Sequence, residues 1–567
     1  MLVVPLPRLA PTAGQVAVQE TAFSTDVLGR FVANTYLEAT ASGPFSVVVV
    51  GAGAYGAFCA VEIRRSHPGA RVLLLDAGSF VVSEHVQNLG SIGLGVPAPI
   101  MPSSDPGIPR EVVWGLPWRG NVEFPGLAYC TGGKSIYWGG WCPRLTDADL
   151  AAWPSTVASW LKANYSAVES ETGVVPDTDF IFGDLQAALF SAVAAAAATV
   201  PGLTDVQRPP LAVQGSSAVS GLFGFDKFSS VPLLIDAIRR DIREANGSDA
   251  ARRLFLVPRA HVVALHTSGD RVDTVEVDVA GVRRYLDVAP GAVVVLAASA
   301  IETTRLALHS FPTPLMGRNL MAHVRTDFAV RIARSALPQL PGPVETAAML
   351  VRAEVATGRF HLQLTASASR GGSDDLLFKM IPDIEELVTH TSAPDPDWIL
   401  VTLRGIGEMT GDRFGVVPDP SRSWINLSPF ETDEYGVPRA YVHLVVAPGD
   451  VATWAAMDAA ALRLAQAVAG APDRIQYFWD GQWQAQPFPA NRPFPDWHRG
   501  LGTTYHESGT LWMGDDSTTS VTNTFGRFHH MSNAYACDQS LLPTVGSANP
   551  VLTGLALAKR VAEALPI

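Results

Sequence analysis

Between Phe45 and Asp76 the chain writes out one supersecondary unit. Phe45 to Val50 is a run of mostly β-branched residues, Gly51-Ala-Gly53-Ala-Tyr-Gly56 follows it, Ala57 to Ser66 fits a helix, and Arg71 to Asp76 is a second apolar strand. A strand that is apolar at every position is buried on both faces, as in a parallel sheet covered by helices. The three glycines permit a tight turn after the strand, close approach of backbone to a pyrophosphate, and close packing of helix on strand. The helix start adds free N–H groups and the positive end of a dipole. Asp76, at the end of the second strand, is placed to accept hydrogen bonds from a ribose hydroxyl pair. A glycine motif alone could be a structural turn; strand before, helix after and acid at the next strand end together favour a dinucleotide site.

The rest of the chain has room for a second core, since 567 residues exceed one typical domain. Residues 1–44 read as an N-terminal extension with a short helix around Asp26 to Tyr36. A helix is predicted over Pro232 to Ala245, alternating strands over Leu254–Leu265 and Asp273–Val279, and an apolar strand over Ala292–Ala297 that runs into a helix start at Ser299. Between about 330 and 450 the texture changes to alternating strands, Phe360–Ala366, Ile399–Leu403 and Tyr441–Val446, separated by Pro/Gly/Asp turns. A helix over Pro448–Ala469 follows. The expected fold class is α/β: a discontinuous Rossmann-like domain from 45–150, 225–330 and 500–567, and a substrate domain from 151–224 and 331–499 on a largely antiparallel sheet plus helices.

Composition excludes several classes of partner. A net charge of −13 leaves no basic stripe for nucleic acid or an anionic membrane, and an electroneutral or cationic small substrate is easier to accommodate. The four cysteines, Cys59, Cys130, Cys142 and Cys537, form no CxxC pair, so reduced thiols are expected rather than a zinc site or a disulfide framework. No apolar stretch is long enough for a membrane span. The start, MLVVPLPRLAPTAGQ, lacks the pattern of a secretory signal, so a cytoplasmic location is expected.

A second glycine cluster, Gly132-Gly133-Lys-Ser135-Ile-Tyr137-Trp138-Gly139-Gly140, could let backbone lie against a large flat ring or could be a surface loop. The backbone around Val262 could lie against an adenine. At this point the chain resembles the glucose–methanol–choline (GMC) family of flavin oxidoreductases. The resemblance rests on GAGAYG with Asp76; GGKSIYWGG; VVVLAASAIETTRLAL followed by MGRNLMAH, which ends at His323; HESGTLWMG; and the segment from Val521 through Tyr535-Ala-Cys-Asp538 and Ser547-Ala-Asn549-Pro550 to Ala562. GGKSIYWGGWCPR is most similar to pyranose oxidases and related sugar oxidases. The resemblance implies FAD, held by Gly51, Gly53, Gly56, Asp76, Gly132, Gly133, Ser135, Tyr137, Val262, Asp538 and Pro550. Tyr137 stands where fungal members carry the histidine that links the flavin, so non-covalent FAD is implied.

The resemblance also implies an active-site pair, which falls on His506 and Asn549. Loss of a hydride from a carbinol carbon to the flavin is eased when a base accepts the hydroxyl proton, and neutral imidazole suits that role near pH 7. Asn549-Pro550 also reads as the N-cap and first residue of the last helix. The expected function is FAD-dependent oxidation of an alcohol, on a sugar or glycoside, with oxygen or a quinone as acceptor; a sterol or aliphatic alcohol oxidase and a non-redox lyase on the same fold are the alternatives. Trp138, Trp141, Trp479 and Trp483 are candidate apolar faces for a pyranose, with Asp480, Gln482 and Gln484 as hydroxyl partners.

Overall fold

The computed structural model describes residues 32–88, 114–115, 118–122, 127–174, 181, 183–214, 226–246, 248–337, 340, 346–367, 395, 397–487 and 497–567. Two sheets organise them. The first is five-stranded and parallel throughout, in the order Ala534–Ala536, Val293–Leu296, Val47–Val50, Val72–Leu75, Leu254–Val257. Its central strand, Val47–Val50, pairs on both edges and is buried at all four positions. That is why the sequence there is valine without alternation. The helix Ala54–Ser66 packs on this sheet and against the helices Ser230–Glu244 and Val551–Ala564, so the last helix of the chain lies beside the first glycine loop.

The second sheet is eight-stranded, and its main path is antiparallel: Gln482–Gln484, Ile475–Trp479, His323–Ala333, Trp398–Glu408, Gly358–Ser367, Thr346–Val355, Leu203–Gln207. His498–Arg499 pairs with the His323 strand. The helices Pro448–Ala469 and Asp184–Ala197 cover one face. Alternation assigns the side chains: Phe360, Leu362 and Leu364 join the apolar core under those helices, while His361 and Gln363 turn to the opposite face. Gly405 and Gly407 leave room for Met457 of the covering helix; a Cβ on Gly405 would stand 2.8 Å from its sulfur.

Several expectations need correction. Leu254–Leu265 is two strands in different sheets, Leu254–Val257 in the parallel sheet and Ala260–Ser268 in a three-stranded antiparallel one. The break falls at Pro258-Arg259, where Arg259 takes a left-handed φ of 55°. The expected helix at 26–36 lies mostly outside the described residues; the helix seen there is Tyr36–Thr40, opened by a Thr35/Glu38 capping box. Pro448–Ala469 has the predicted bounds. Among the described residues no helix is long and apolar enough to cross a membrane, and the four cysteines are free and buried.

Candidate active site

A cavity of about 700 Å³ runs from the ends of the parallel strands to the open face of the antiparallel sheet. Its first wall is the glycine loop. Gly51 has a φ of 96°, and a Cβ there would stand 2.7 Å from the Ala297 carbonyl oxygen, so only glycine fits. Gly53 lines the cavity and would meet nothing closer than the Gly133 Cα at 4.0 Å, which leaves bare backbone at the N-terminus of the Ala54–Ser66 helix facing open space. That is a cradle a pyrophosphate can enter. Gly56 faces away from the cavity: a Cβ would lie 1.9 Å from the Gly51 carbonyl oxygen, so its role is to let the helix close on the strand turn.

Asp76 lines the cavity, but its oxygens are engaged by backbone. One accepts the Ala52 N–H at 2.7 Å and the other the Gly78 N–H at 2.8 Å. Burial outweighs those two bonds and pushes its carboxyl up to about 6. The carboxylate therefore joins the glycine loop to the end of the second strand, with a remaining lone-pair direction for a ribose.

The second glycine cluster is bolted to the first. The Gly132 N–H donates to the Ala52 carbonyl at 2.7 Å, and the Ser135 hydroxyl donates to the Gly132 carbonyl at 2.6 Å. Gly133, Ser135, Tyr137 and Trp138 line the cavity, as does Val262 from the neighbouring strand; Gly132 does not. The Tyr137 phenol is held well above its ordinary pKa by burial and stays neutral.

Beside Gly56 and Gly132, two more of the residues expected to hold the cofactor lie off the cavity lining. Asp538 is fully buried and absent from the cavity lining: it accepts the Thr303 hydroxyl at 2.6 Å and the Ser540 N–H at 2.9 Å. The Thr303 oxygen in turn accepts the Ala298 N–H at 2.9 Å, so Asp538 supports the Ala298–Ser299 wall from behind. Pro550 is also off the lining; Val551 beside it, the first residue of the last helix, faces the cavity.

At the far end stand His506 and Asn549, their Nε2 and Nδ2 3.3 Å apart. Asn549 does not cap the last helix through its side chain. Pro550 occupies the cap position without a side-chain bond, and the Asn549 Oδ1 instead accepts from Gln363 Nε2 at 3.0 Å. The His506 Nδ1 is 2.9 Å from the His323 Nδ1. Burial, with His323, His361, Arg325 and Lys134 as neighbours, holds His506 well below the usual imidazole pKa, so the ring is neutral. The Tyr55 hydroxyl donates to Gln539 at 2.6 Å and Gln539 donates to the Glu507 carbonyl at 2.7 Å, which ties the first glycine loop to the segment carrying His506.

The same cavity is lined by the polar Arg325, Gln363, Arg404, Arg499, Thr503 and Thr504, beside the apolar Ile406 and Val551. Asp327 pairs with all three arginines, at 2.6, 3.4 and 2.9 Å, and they hold its carboxyl well below the carboxylate range. The overall charge of −13 thus did not forecast the local one. Of the four tryptophans, Trp138 and Trp141 line the cavity. Trp479 and Trp483 sit with Asp480, Gln482 and Gln484 on a hairpin at the sheet edge, off the cavity; Asp480 and Gly481 make its two-residue turn with φ of 52° and 70°. Sequence reasoning missed His361 and Gln363. Polar residues at alternate strand positions read as solvent-facing, yet these two are 0% and 3% exposed.

Residues 419–558 match the model of the GMC oxidoreductase family, a span that holds both His506 and Asn549. Over 60 residues the chain is 43% identical to paromamine 6'-oxidase of Streptomyces fradiae; the alignment covers 11% of each protein, so the chain matches about a tenth of that relative's length. The fold is similar to a solved structure of pyridoxine 4-oxidase from Mesorbium loti, with a TM-score of 0.57 at 16% identity over 91% of this chain and 98% of that one. The C-terminal segment is thus similar to the GMC oxidoreductase family, on a fold similar to that of the pyridoxine oxidase structure.

Proposed function

We propose that the protein binds FAD non-covalently and oxidises a polar alcohol, a sugar or glycoside, to the corresponding carbonyl compound. The observation that carries this reading is the neutral His506 beside the Asn549 amide at the end of a glycine-lined cavity. Bound flavin supplies the two-electron acceptor for the carbinol hydrogen. The protein's own part is proton handling and orientation. The substrate hydroxyl donates to His506 Nε2 and accepts from Asn549 Nδ2, replacing their mutual 3.3 Å contact. His506 takes the proton as the C–H bond breaks.

A tyrosine at position 137 cannot form the histidyl link to flavin, which supports the non-covalent assignment. For the substrate class, the polar lining of Arg325, Gln363, Thr503 and Thr504, with Trp138 and Trp141 as flat faces, suits a polyhydroxylated molecule better than a sterol or long-chain alcohol. The named substrate of the paromamine oxidase points the same way.

The test is anaerobic stopped-flow reduction of the purified yellow protein by sugars, glycosides, sterols and simple alcohols. A sugar or glycoside should bleach the flavin fastest, and the reverse order rejects that substrate class. His506→Ala should keep FAD yet slow bleaching roughly 10²–10⁴-fold, the usual reach of a positioned base. Near-normal reduction by that variant removes His506 from the role.

A further inference from the structure

We propose that two hydrogen-bond relays, both anchored on backbone carbonyls of the turn before the last helix, fix the tautomer of His506 and the orientation of the Asn549 amide, making His323, His361 and Gln363 positioning residues. The inference rests on the reading of His506 as the base only for its kinetic consequence.

The first relay begins at the Gly546 carbonyl, 3.0 Å from His323 Nε2. A carbonyl can only accept, so Nε2 carries the proton and Nδ1 of the neutral ring is a lone pair. Burial pushes His323 down to about 4, so the neutral form holds at physiological pH. Its Nδ1 lies 2.9 Å from His506 Nδ1, which must therefore be the donor. The other His506 tautomer would set two lone pairs against each other at that distance. The proton on Nδ1 leaves His506 Nε2 bare, on the side of Asn549.

The second relay begins at the Ser547 carbonyl, which accepts from His361 Nδ1. His361, pushed down to about 3 by burial and Arg352, is neutral, and its Nε2 accepts from Gln363 Nε2 at 3.0 Å. The second Gln363 N–H donates to Asn549 Oδ1 at 3.0 Å. Asn549 is thereby left with Nδ2 toward His506. An amide flipped the other way would bring its NH₂ against the Gln363 NH₂ and remove the donor a substrate oxygen needs. His361 and Gln363 are two apart on the strand Gly358–Ser367 and so share its cavity-side face.

His506 is also faced by the charged Arg325 and Lys134, which act on its proton affinity but cannot select between its nitrogens through a hydrogen bond to Nδ1. The test uses FAD-loaded protein with ¹⁵N-labelled histidine, comparing wild type, His323→Leu, His323→Gln and Gln363→Leu. His506→Gln identifies the His506 signals. In wild type, His506 should be protonated on Nδ1 alone. His323→Leu should mix its tautomers and slow flavin reduction by roughly 10–100-fold, the range for partners that orient a histidine. Apparent alcohol affinity should change little. The acid limb of the rate should shift, because His323 is among the neighbours that set the proton affinity of His506. His323→Gln, which can accept from His506 and donate to Gly546, should restore most of the rate and the single tautomer. Gln363→Leu should lower the limiting rate without mixing the His506 tautomers.

A wild-type His506 protonated on Nε2, or a His323→Leu protein with unchanged tautomer, rate and pH profile, overturns the proposal. If His323→Leu does not fold, the wild-type spectrum and Gln363→Leu still decide it. Normal reduction by His506→Ala alongside the expected tautomer shift would reject the base assignment and leave the relays standing.

Discussion

Replacing Asp76 by alanine tests whether the acid at the second strand end is primarily a clamp on the glycine loop. The carboxylate accepts two N–H groups, from Ala52 and Gly78, and both residues are buried. Removing it orphans two donors, each costing about 1–3 kcal/mol when left without a partner. Water entering from the cavity can satisfy one of them, which brings the expected loss to about 1–3 kcal/mol rather than the full sum. Gly78 cannot swing away to find another acceptor, since a mere Cβ on it would lie 1.9 Å from the Tyr129 carbonyl carbon. Asp76→Asn should recover little, because its single carbonyl can take one N–H while its NH₂ confronts the other. Urea unfolding of flavin-free protein at pH 7.5 reads the stability, and FAD retention on gel filtration reads the site. A loss below about 0.5 kcal/mol, the ordinary scatter of surface substitutions, together with normal FAD retention, would refute the clamp.

Acid precipitation should release FAD into the supernatant, as Tyr137 replaces the linking histidine; flavin staying with the pellet would show a covalent bond elsewhere. Stability should fall as pH drops. His323 is depressed from 6.5 to about 4 in the fold, so the unfolded chain binds a proton that the fold refuses. The loss begins below about pH 6.5, levels off below about pH 4, and amounts to about 3 kcal/mol for this residue. His323→Gln should remove that share of the slope in urea midpoints taken from pH 7 to 4, and an unchanged slope would mean the ring is not buried neutral.

The parallel core was legible because its code is local. Val47–Val50, GAGAYG and Val72–Leu75 lie within about thirty residues, and Gly51 and Gly56, with no steric alternative, mark the turn. The helix Pro448–Ala469 was legible for a similar reason, with proline at its start and a left-handed Gly470 at its end. The relay residues were not. His361 reads as one polar position in an alternating strand, and the carbonyl that explains it belongs to Ser547, 186 residues away. Asn549 was misread in part because Asn-Pro is a good local helix start, and local propensity gives way when a buried amide has Gln363 and His506 to bond.

The turn that feeds both relays is itself held from two sides. Asp149, with no exposed side chain, accepts the Ser547 N–H at 3.0 Å and the Ser547 hydroxyl at 3.2 Å. Gly546 bends left-handed above it, and a Cβ there would meet Leu145 at 2.7 Å and Asp149 at 3.0 Å. Arg359 reaches the same carboxylate at 2.9 Å and also pairs with Glu408 at 2.9 Å. Arg359 and Glu408 sit on the adjacent strands Gly358–Ser367 and Trp398–Glu408, the first of which carries His361 and Gln363. One buried carboxylate thus joins the turn bearing Asn549 to the strand that orients its amide. Movement of the antiparallel sheet relative to the last helix would have to break this ion pair and two hydrogen bonds at once. The geometry of His506 and Asn549 is therefore a property of the junction between the two cores, and neither core carries it alone.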